Sequence, residues 1–361
     1  MKQTSGFIST YSADTFGVCS ALFELGGMVV MHDASGCNST YTTHDEPRWY
    51  DTDSMVYISG LTEIEAIMGD DGKLISDITE AANELHPEFI AIAGTPIPAM
   101  TGFDSDAAAT EIRMNTGIPA FGFKTTGMKS YIHGAAEAFL MLADNFTEKG
   151  VKRTEKPSAN ILGLTPLDFS VNTCADSLKN YIRDKGYEII SSWAMGSTLS
   201  DIKKAGAAHM NFVVSETGLP AAVRLKEMFG IPYSIGIPVG GYDIDVSSSY
   251  NGSESIENDI TGAEVLVIGE GVSSKSLAKY FGMKYGKKAA SLTATDIDEE
   301  SIEKAVKSVA GLKTVIADPL FKPVCRNVPE FRPLPHEAFS GRLFRSDIPD
   351  IVKNGFNALC I

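Results

Sequence analysis

The sequence predicts an α/β protein made of three consecutive units, each built on a mainly parallel sheet. Apolar runs of strand length alternate with helical segments, a pattern typical of parallel sheets covered on both faces. The chain has 361 residues, 43% hydrophobic and 21% charged, which suits two or three globular domains. Polar stretches near 152–158 and 243–262 separate the units. We therefore place the domains at 1–155, 156–245 and 246–361.

The elements follow from this alternation in chain order. In the first unit, MVVMH, EFIAIAGT and IPAFGF predict strands, and DSDAAATEIRMNTG and HGAAEAFLMLADNF predict helices. In the second unit we predict four strands and two helices. The strands lie in ANILGLTP, YEIISSWAM, HMNFVVS and IPYSIGIP, and the helices in CADSLKNYIRDKG and LPAAVRLKEMFG. In the third, AEVLVIGEG and KTVIADP predict strands, with a helix in SSKSLAKYFGMKYG between them.

Composition and charge exclude several classes of protein. A formal net charge of −15 would repel nucleic acid. The chain has no run of 18 apolar residues and no apolar signal segment near its start, so we expect neither a membrane span nor export. Five cysteines, an odd number without a CxxC pair, favour a reducing compartment over a disulfide framework. The expected location is therefore the cytoplasm.

Nucleotide-binding motifs are incomplete. The segment GEGVSS follows an apolar strand but has Ser274 at the third glycine of the dinucleotide fingerprint, which favours a plain turn between strand and helix. A GxxxxGK[ST] loop is absent, and GMKYGKK is one residue too short to be one. Any ATP-driven step would therefore depend on another chain.

The segment MHDASGCNSTYTTHDEPRWY (31–50) follows a predicted strand and carries the densest group of polar side chains. Within it, Arg48 is suited to bind carboxylates and His44 to donate protons, so we assign both a catalytic role. The alternative is a surface loop whose charges pair with each other. Trp49 and Tyr50 beside the charges favour a buried or interfacial position.

Several segments, in their order, resemble one family: component 1 of nitrogenase and relatives such as dark-operative protochlorophyllide reductase and the nickel-tetrapyrrole reductive cyclase of methanogens. MHDASGC resembles the family's His-Gly-Pro-x-Gly-Cys loop at His32, Gly36 and Cys37. SGLTEIEAIMGDDGKL resembles its acidic segment, and EFIAIAGTPIPAMTGFD resembles the strand and turn after it. AAHMNFVVSETGLPAAVRLKEMFGIPY is similar to its A-x-x-N-L-V strand, helix and GIPY strand.

This resemblance implies three Rossmann-like domains and an oxidoreductase component. It implies pairing with a homologous subunit, as a homodimer or a heteromer, around a shared iron–sulfur cluster of the [4Fe-4S] type. Electrons would come from a separate P-loop iron protein, and ATP would bind only there. The length of the chain is nearer to the tetrapyrrole-reducing relatives, so the expected substrate is a small or tetrapyrrole-like molecule.

The cysteine positions of the family are only partly kept. Cys37 matches one of three, and the resemblance makes it the expected metal ligand; Ser12 and Thr95 stand at the other two. Cys19 is either a shifted ligand or a packed hydrophobe, because Leu22 and Phe23 lie at helical spacing from it.

Four residues around this loop are expected to line the cofactor site: His32, Asp33, Gly36 and Thr95. Of these, His32 has two interpretations, one as a hydrogen-bonding residue that orients the loop and one as a metal ligand. Ser215 stands where the resemblance places the cysteine that anchors the iron–molybdenum cofactor, so no cofactor of that kind is expected.

The missing cysteines leave a second functional class open. A scaffold subunit could keep the fold and the pairing, bind a cofactor or metal cluster, and lack the electron-transfer cluster. A binder resembling periplasmic receptors would also fit successive α/β domains. The apparent lack of a signal segment and the ordered family segments disfavour it.

Overall fold

Three parallel four-stranded sheets with flanking helices make up the fold, which confirms the predicted α/β class. The computed structural model of the chain describes residues 13–36, 46–250, 260–297 and 299–356. Within these ranges no helix is both long enough and apolar enough to cross a membrane.

The first unit contains α1 (Asp14–Leu22), β1 (Met28–His32), β2 (Met55–Ile58), α2 (Glu63–Met68), α3 (Gly72–Leu85), β3 (Ile90–Gly94), α4 (Pro96–Thr101), α5 (Ser105–Thr116), β4 (Ala120–Phe123) and α6 (Tyr131–Phe146). The second contains β5 (Ser158–Leu162), α7 (Pro166–Phe169), α8 (Cys174–Asp184), β6 (Glu188–Ser192), α9 (Leu199–Lys203), β7 (Met210–Val213), α10 (Leu219–Phe229) and β8 (Tyr233–Ile235). The third contains β9 (Val265–Gly269), α11 (Gly271–Tyr285), β10 (Ala289–Thr293), α12 (Glu299–Ser308), β11 (Thr314–Ala317), β12 (Glu330–Pro333), α13 (Glu337–Ser340) and α14 (Ile351–Asn354).

All three sheets have the same topology. The strand orders are β2-β1-β3-β4, β6-β5-β7-β8 and β10-β9-β11-β12, and every pairing is parallel. In each sheet the second strand therefore lies on one side of the first strand, and the third and fourth lie on the other side, so the strand order reverses between the first and third strands. Open α/β sheets place ligands outside the carboxyl ends of the strands at such a point. Each sheet lies within one predicted domain range, while the boundaries themselves stay a prediction.

Helices α1 and α6 pack closely against each other. All nine residues of α1 are buried. A Cβ built on Gly17 would lie 2.0 Å from the carbonyl oxygen of Tyr131, and one on Gly134 would lie 1.8 Å from that of Asp14. Glycine at both positions therefore allows the two backbones to touch.

The start of α6 joins the first unit to the other two. Ser130 donates to Asp296 of the third unit through its backbone N–H (2.7 Å) and its hydroxyl (2.5 Å). The next residue, Tyr131, donates its phenol to Asp168 Oδ1 of the second unit at 2.5 Å. Two adjacent residues thus fix the positions of both following units.

Candidate functional site

The carboxyl edge of the first sheet brings together three of the four predicted cofactor-binding residues. His32 ends β1, Asp33 follows it, and Thr95 follows the neighbouring strand β3. Thr95 Oγ1 lies 2.8 Å from both the carbonyl oxygen of His32 and Asp33 Oδ1. Gly36 is the last described residue before the 37–45 segment, and a Cβ built on it meets no described atom within 4 Å. These hydrogen bonds join the ends of β1 and β3 at the point where the loop leaves the sheet.

His32 is held as a neutral imidazole. Its Nδ1 lies 2.8 Å from the Ser59 hydroxyl, and its ring packs at 4.4 Å from the ring of Phe103. Burial lowers the pKa of His32 to about 4, against the opposing effect of the carboxylates of Asp33 and Glu65. This hydrogen bond is compatible with the first interpretation, and the role of His32 at a cofactor site stays a prediction.

Asp33 carries a second, buried carboxylate oxygen that takes no part in these hydrogen bonds. The residue is 1% exposed, and its Oδ2 has no hydrogen-bond partner within the part of the chain that the structure describes. A buried carboxylate oxygen without a partner is costly, so a donor or cation beside it would stabilise this edge.

Two predicted site residues, Cys37 and His44, lie outside the described residues. Cys19 is described and fully buried in α1. Burial, together with the nearby Glu46 carboxylate, raises the pKa of its thiol well above the ordinary value. Because a cluster ligand must be a thiolate, these surroundings support the packing alternative for Cys19.

Arg48 is buried at the junction of the first and second units. Its guanidinium donates to Glu46 at 2.7 Å, to Glu24 at 3.0 Å, to the carbonyl oxygen of Ser20 at 2.8 Å and to that of Ala194 at 2.6 Å. It also lies 4.7 Å from the centre of the Phe23 ring. These contacts give it a structural role, and its assignment to substrate binding stays a prediction. Next to it, Trp49 packs on Phe23 while Tyr50 is 82% exposed.

A second polar group, which the sequence analysis did not single out, lies where the three units meet. Its members are Tyr131, Asp168, Glu216, Glu270 and His336. Glu216 directly follows Ser215 after β7, Glu270 follows β9, and Asp168 lies in the short helix after β5. An acid directly after a buried strand was the signal that could have found Glu270, since such residues reach the ligand-binding edge of a parallel sheet.

Burial and mutual repulsion favour the protonated forms of these acids. Burial and the charge of Glu270 raise the pKa of Asp168 to about 7, opposed by hydrogen bonds from Tyr131, Ser215 and Thr165. The same two causes raise the pKa of Glu216 to about 8, while its hydrogen bond with Tyr250 acts the other way. The pKa values of Asp168 and Glu216 therefore lie close to neutral pH.

The carboxyl group of Glu270 occupies the turn that resembles a dinucleotide fingerprint. Its carboxylate accepts the backbone N–H groups of Val272 and Ser273 at the start of α11, at 3.1 and 2.8 Å, and that of Glu216 at 2.8 Å. A phosphate would use the same donors. This geometry agrees with the prediction of a plain turn.

The described residues do not contain a complete metal site. No group of three or more His, Cys, Asp or Glu side chains within 13–36, 46–250, 260–297 and 299–356 could hold a metal ion. The three described thiols, Cys19, Cys174 and Cys325, are all buried and unpaired. These residues alone therefore do not provide the ligands of an iron–sulfur cluster.

Comparison with known proteins identifies the class. Residues 14–247 match the family described as nitrogenase component 1 type oxidoreductase, and the chain belongs to this family. Among curated relatives it is similar to one of the subunits of light-independent protochlorophyllide reductase: 25% identical over 171 residues in Chloroflexus aurantiacus, 46% of this chain and 31% of the relative. The corresponding protein of Leptolyngbya boryana is 30% identical over 166 residues, 37% and 33% of the two chains. That of Nostoc punctiforme is 24% identical over 257 residues, 60% and 51%.

Solved structures show the same fold. Nitrogenase Cp1 at pH 6.5 superposes with a TM-score of 0.59 at 18% identity, covering 99% of this chain and 68% of the other. The structure at pH 5 gives the same TM-score at 17% identity, covering 88% and 66%. The three predicted Rossmann-like units are thereby confirmed as those of a nitrogenase-like fold. The matches to curated relatives span about a third to a half of those proteins.

Proposed function

We propose that this chain is a component-1-like subunit of an ATP-dependent two-component reductase. A separate P-loop iron protein would bind ATP and deliver electrons, and the substrate would be a small or tetrapyrrole-like molecule. Membership of the oxidoreductase family, over a match that includes the loop after β1, carries this proposal. The similarity to protochlorophyllide reductase subunits supports it.

The proposed electron entry is an iron–sulfur cluster of the [4Fe-4S] type held through Cys37 and shared with a second subunit. Such a cluster would supply one-electron transfer. Where the loop leaves β1, the Thr95 hydroxyl donates to the carbonyl oxygen of His32, and the Ser59 hydroxyl accepts the backbone N–H of Asp33. Asp33 Oδ2 has no hydrogen-bond partner among the described residues, which supports a further positive group or donor at this edge. His44, in the same loop, is the proposed proton donor there.

A homologous subunit is the proposed partner of the first unit. Helix α2 has no buried residue, and its Ile64, Ile67 and Met68 are each about three-quarters exposed. Met100 of the adjacent α4 is 80% exposed. Exposed apolar groups of this kind on one face mark protein interfaces. They lie on helices that follow β2 and β3, so they adjoin the edge where the proposed shared cluster would lie.

The alternative, a scaffold subunit without an electron-transfer cluster, has an observation in its favour. Cys19, the second thiol of the first unit, lies in surroundings that favour its neutral form. Only Cys37 then remains in that unit as a thiolate donor, and one thiolate per subunit falls short of the four that a cubane takes.

Anaerobic purification with metal analysis tests the proposal. The tagged chain is purified alone and with any co-encoded homologous subunit, and iron, sulfide and the visible spectrum are measured. We expect iron and sulfide with the subunit pair and their loss in Cys37→Ala. Cys325→Ala, which removes a buried thiol in the third unit, is the matched control and should keep the cluster. Iron-free protein in both preparations would contradict the reductase and favour the scaffold.

A further inference from the structure

Five basic side chains on the surface of the second unit have no acidic partner. Lys149, Lys152 and Arg153 lie in the segment that joins α6 to β5, while Lys203 ends α9 and Lys204 follows it. Within the part of the chain that the structure describes, none of the five forms an ion pair. We call these five residues the basic patch.

The two segments that carry the basic patch lie side by side. At one end, the backbone N–H of Glu148 donates to the carbonyl oxygen of Lys203 at 2.9 Å. At the other end, the backbone N–H of Thr154 donates to the carbonyl oxygen of Ala207 at 3.3 Å. Because the joining segment is bonded at both ends, the cations between these bonds lie alongside Lys203 and Lys204.

Arg153 is the best-positioned member of the basic patch. Its Nη2 donates to the carbonyl oxygen of Phe229 at 2.8 Å, which orients the guanidinium. Its other N–H groups have no hydrogen-bond partner among the described residues. A guanidinium with unused donors suits a carboxylate, which it can bind through two parallel hydrogen bonds. By contrast, Lys156 in the same segment already pairs with Glu188 at 3.0 Å.

The basic patch differs in charge from the rest of the molecule. Residues 148–156 and 199–207 together contain six lysines and arginines against three acids, whereas the whole chain has a formal net charge of −15. One of the three acids, Asp201, accepts the backbone N–H and the hydroxyl of Thr198 at the start of α9. A local positive charge on an acidic molecule attracts anionic partners to that one place.

The basic patch lies away from the candidate sites. The segment with Arg153 leads into the start of β5, and the one with Lys204 leads into the start of β7. These two strands are parallel neighbours, so both segments lie at the amino edge of the second sheet. Ser215 and Glu216 follow the other end of β7. A partner at the basic patch would therefore leave the carboxyl edge of this sheet open.

We propose that the basic patch docks an acidic face of another protein in a transient complex. None of the large, exposed apolar side chains of the described residues lies within 148–156 or 199–207, so the contact has no apolar anchor. A complex of this kind depends on charge and is weakened by salt. Nucleic acids and membranes extend their charge beyond the patch, where the acidic remainder of the chain repels them. The proposal does not depend on the reductase function.

Binding of labelled polyglutamate to the full chain, measured by fluorescence anisotropy, tests the proposal. The wild type should bind at about 50 mM salt and more weakly at about 200 mM. The variant with both Lys149→Glu and Lys152→Glu should bind at least about tenfold more weakly. Both side chains are exposed, so their replacement should leave the fold intact.

The matched control combines Lys322→Glu and Lys353→Glu, two exposed positions of the third unit with the same change of net charge. This control should keep most of the polyglutamate binding. No binding by the wild type at low salt, or an equal loss in the two variants, would overturn the proposal. Tighter binding to duplex DNA or to phosphatidylglycerol vesicles would replace the acidic protein by a phosphate surface. Self-association at low salt that the first variant abolishes would replace it by a second copy of this chain.

Discussion

The Arg48 side chain links the first two units through several hydrogen bonds. It bonds to carboxylates of Glu24 and Glu46 and to the carbonyl oxygen of Ala194 in the loop after β6. Glu24 in turn accepts the backbone N–H of Gly196 at 2.7 Å. Removing one partner of a buried ion pair leaves the other charge without compensation.

Replacing Arg48 should therefore destabilise the protein strongly. We expect Arg48→Ala to lower the free energy of unfolding by about 3–5 kcal/mol, because two carboxylates and two carbonyl groups lose their donor. Urea denaturation followed by circular dichroism measures this. Lys73→Ala, which removes an exposed pair with Asp77, is the control and should cost under about 1 kcal/mol. Equal effects of the two changes would contradict the structural role.

Residue roles were only partly predictable, and Arg48 shows the reason. Its position beside acids and aromatics indicated a buried or interfacial place, and the structure shows its guanidinium buried. Its partners lie at sequence separations of up to 146 residues, which spacing within one loop cannot reveal. The proximity of Asp168 and His336, 168 residues apart in the chain, was missed for the same reason.

At the scale of the elements, the contact between α1 and α6 depends on two glycines. A side chain at Gly134 would overlap the backbone of Asp14, and backbone atoms cannot rotate away. By contrast, Gly282 lies inside α11, where a Cβ would be 3.8 Å from the carbonyl oxygen of Lys287, an ordinary contact. Replacing glycine by alanine should therefore have opposite effects on the free energy of unfolding at these two sites.

We expect Gly134→Ala to destabilise the protein by about 1–3 kcal/mol or more through overpacking. Gly282→Ala should stabilise it by up to about 1 kcal/mol, since alanine is the better helix former. Thermal unfolding of both variants checks the pair. A tolerated alanine at Gly134 would mean that α1 and α6 are further apart than described.

The sequence revealed all six interior strands of the described sheets but only three of the six edge strands. MVVMH and EFIAIAGT were recognisable because β1 and β3 are interior strands with every residue buried. The strands β2, β10 and β12 were not predicted. All three lie at sheet edges and keep partly exposed residues, so they lack a long apolar run. Interior strands of a parallel sheet are thus visible in one sequence, and edge strands often are not.

At the scale of the whole molecule, the acids between the units make stability depend on pH. Asp168 and Glu216 have folded-state pKa values of about 7 and about 8, above the ordinary 3.8 and 4.5. Between these limits the folded chain binds more protons than the unfolded chain. Their contribution to stability is therefore full at low pH and is lost as the pH rises through the folded values.

The free energy of unfolding should accordingly fall by about 1–3 kcal/mol more in the wild type than in Asp168→Asn between pH 5 and pH 8. Urea titrations of the two proteins at a series of pH values give this difference. Asp176→Asn should follow the wild-type curve. A wild-type stability that rises with pH relative to Asp168→Asn would contradict the assignment.

The adjacent bonds of Ser130 and Tyr131 also bear on how the chain folds during synthesis. Helix α6 leaves the ribosome before either of the units that it contacts, so its exposed end is a template on which both later units dock. A fragment beginning after α6 would be made without that template. The three sheets repeat one topology, yet the second and third units each bond to the start of a helix that belongs to the first.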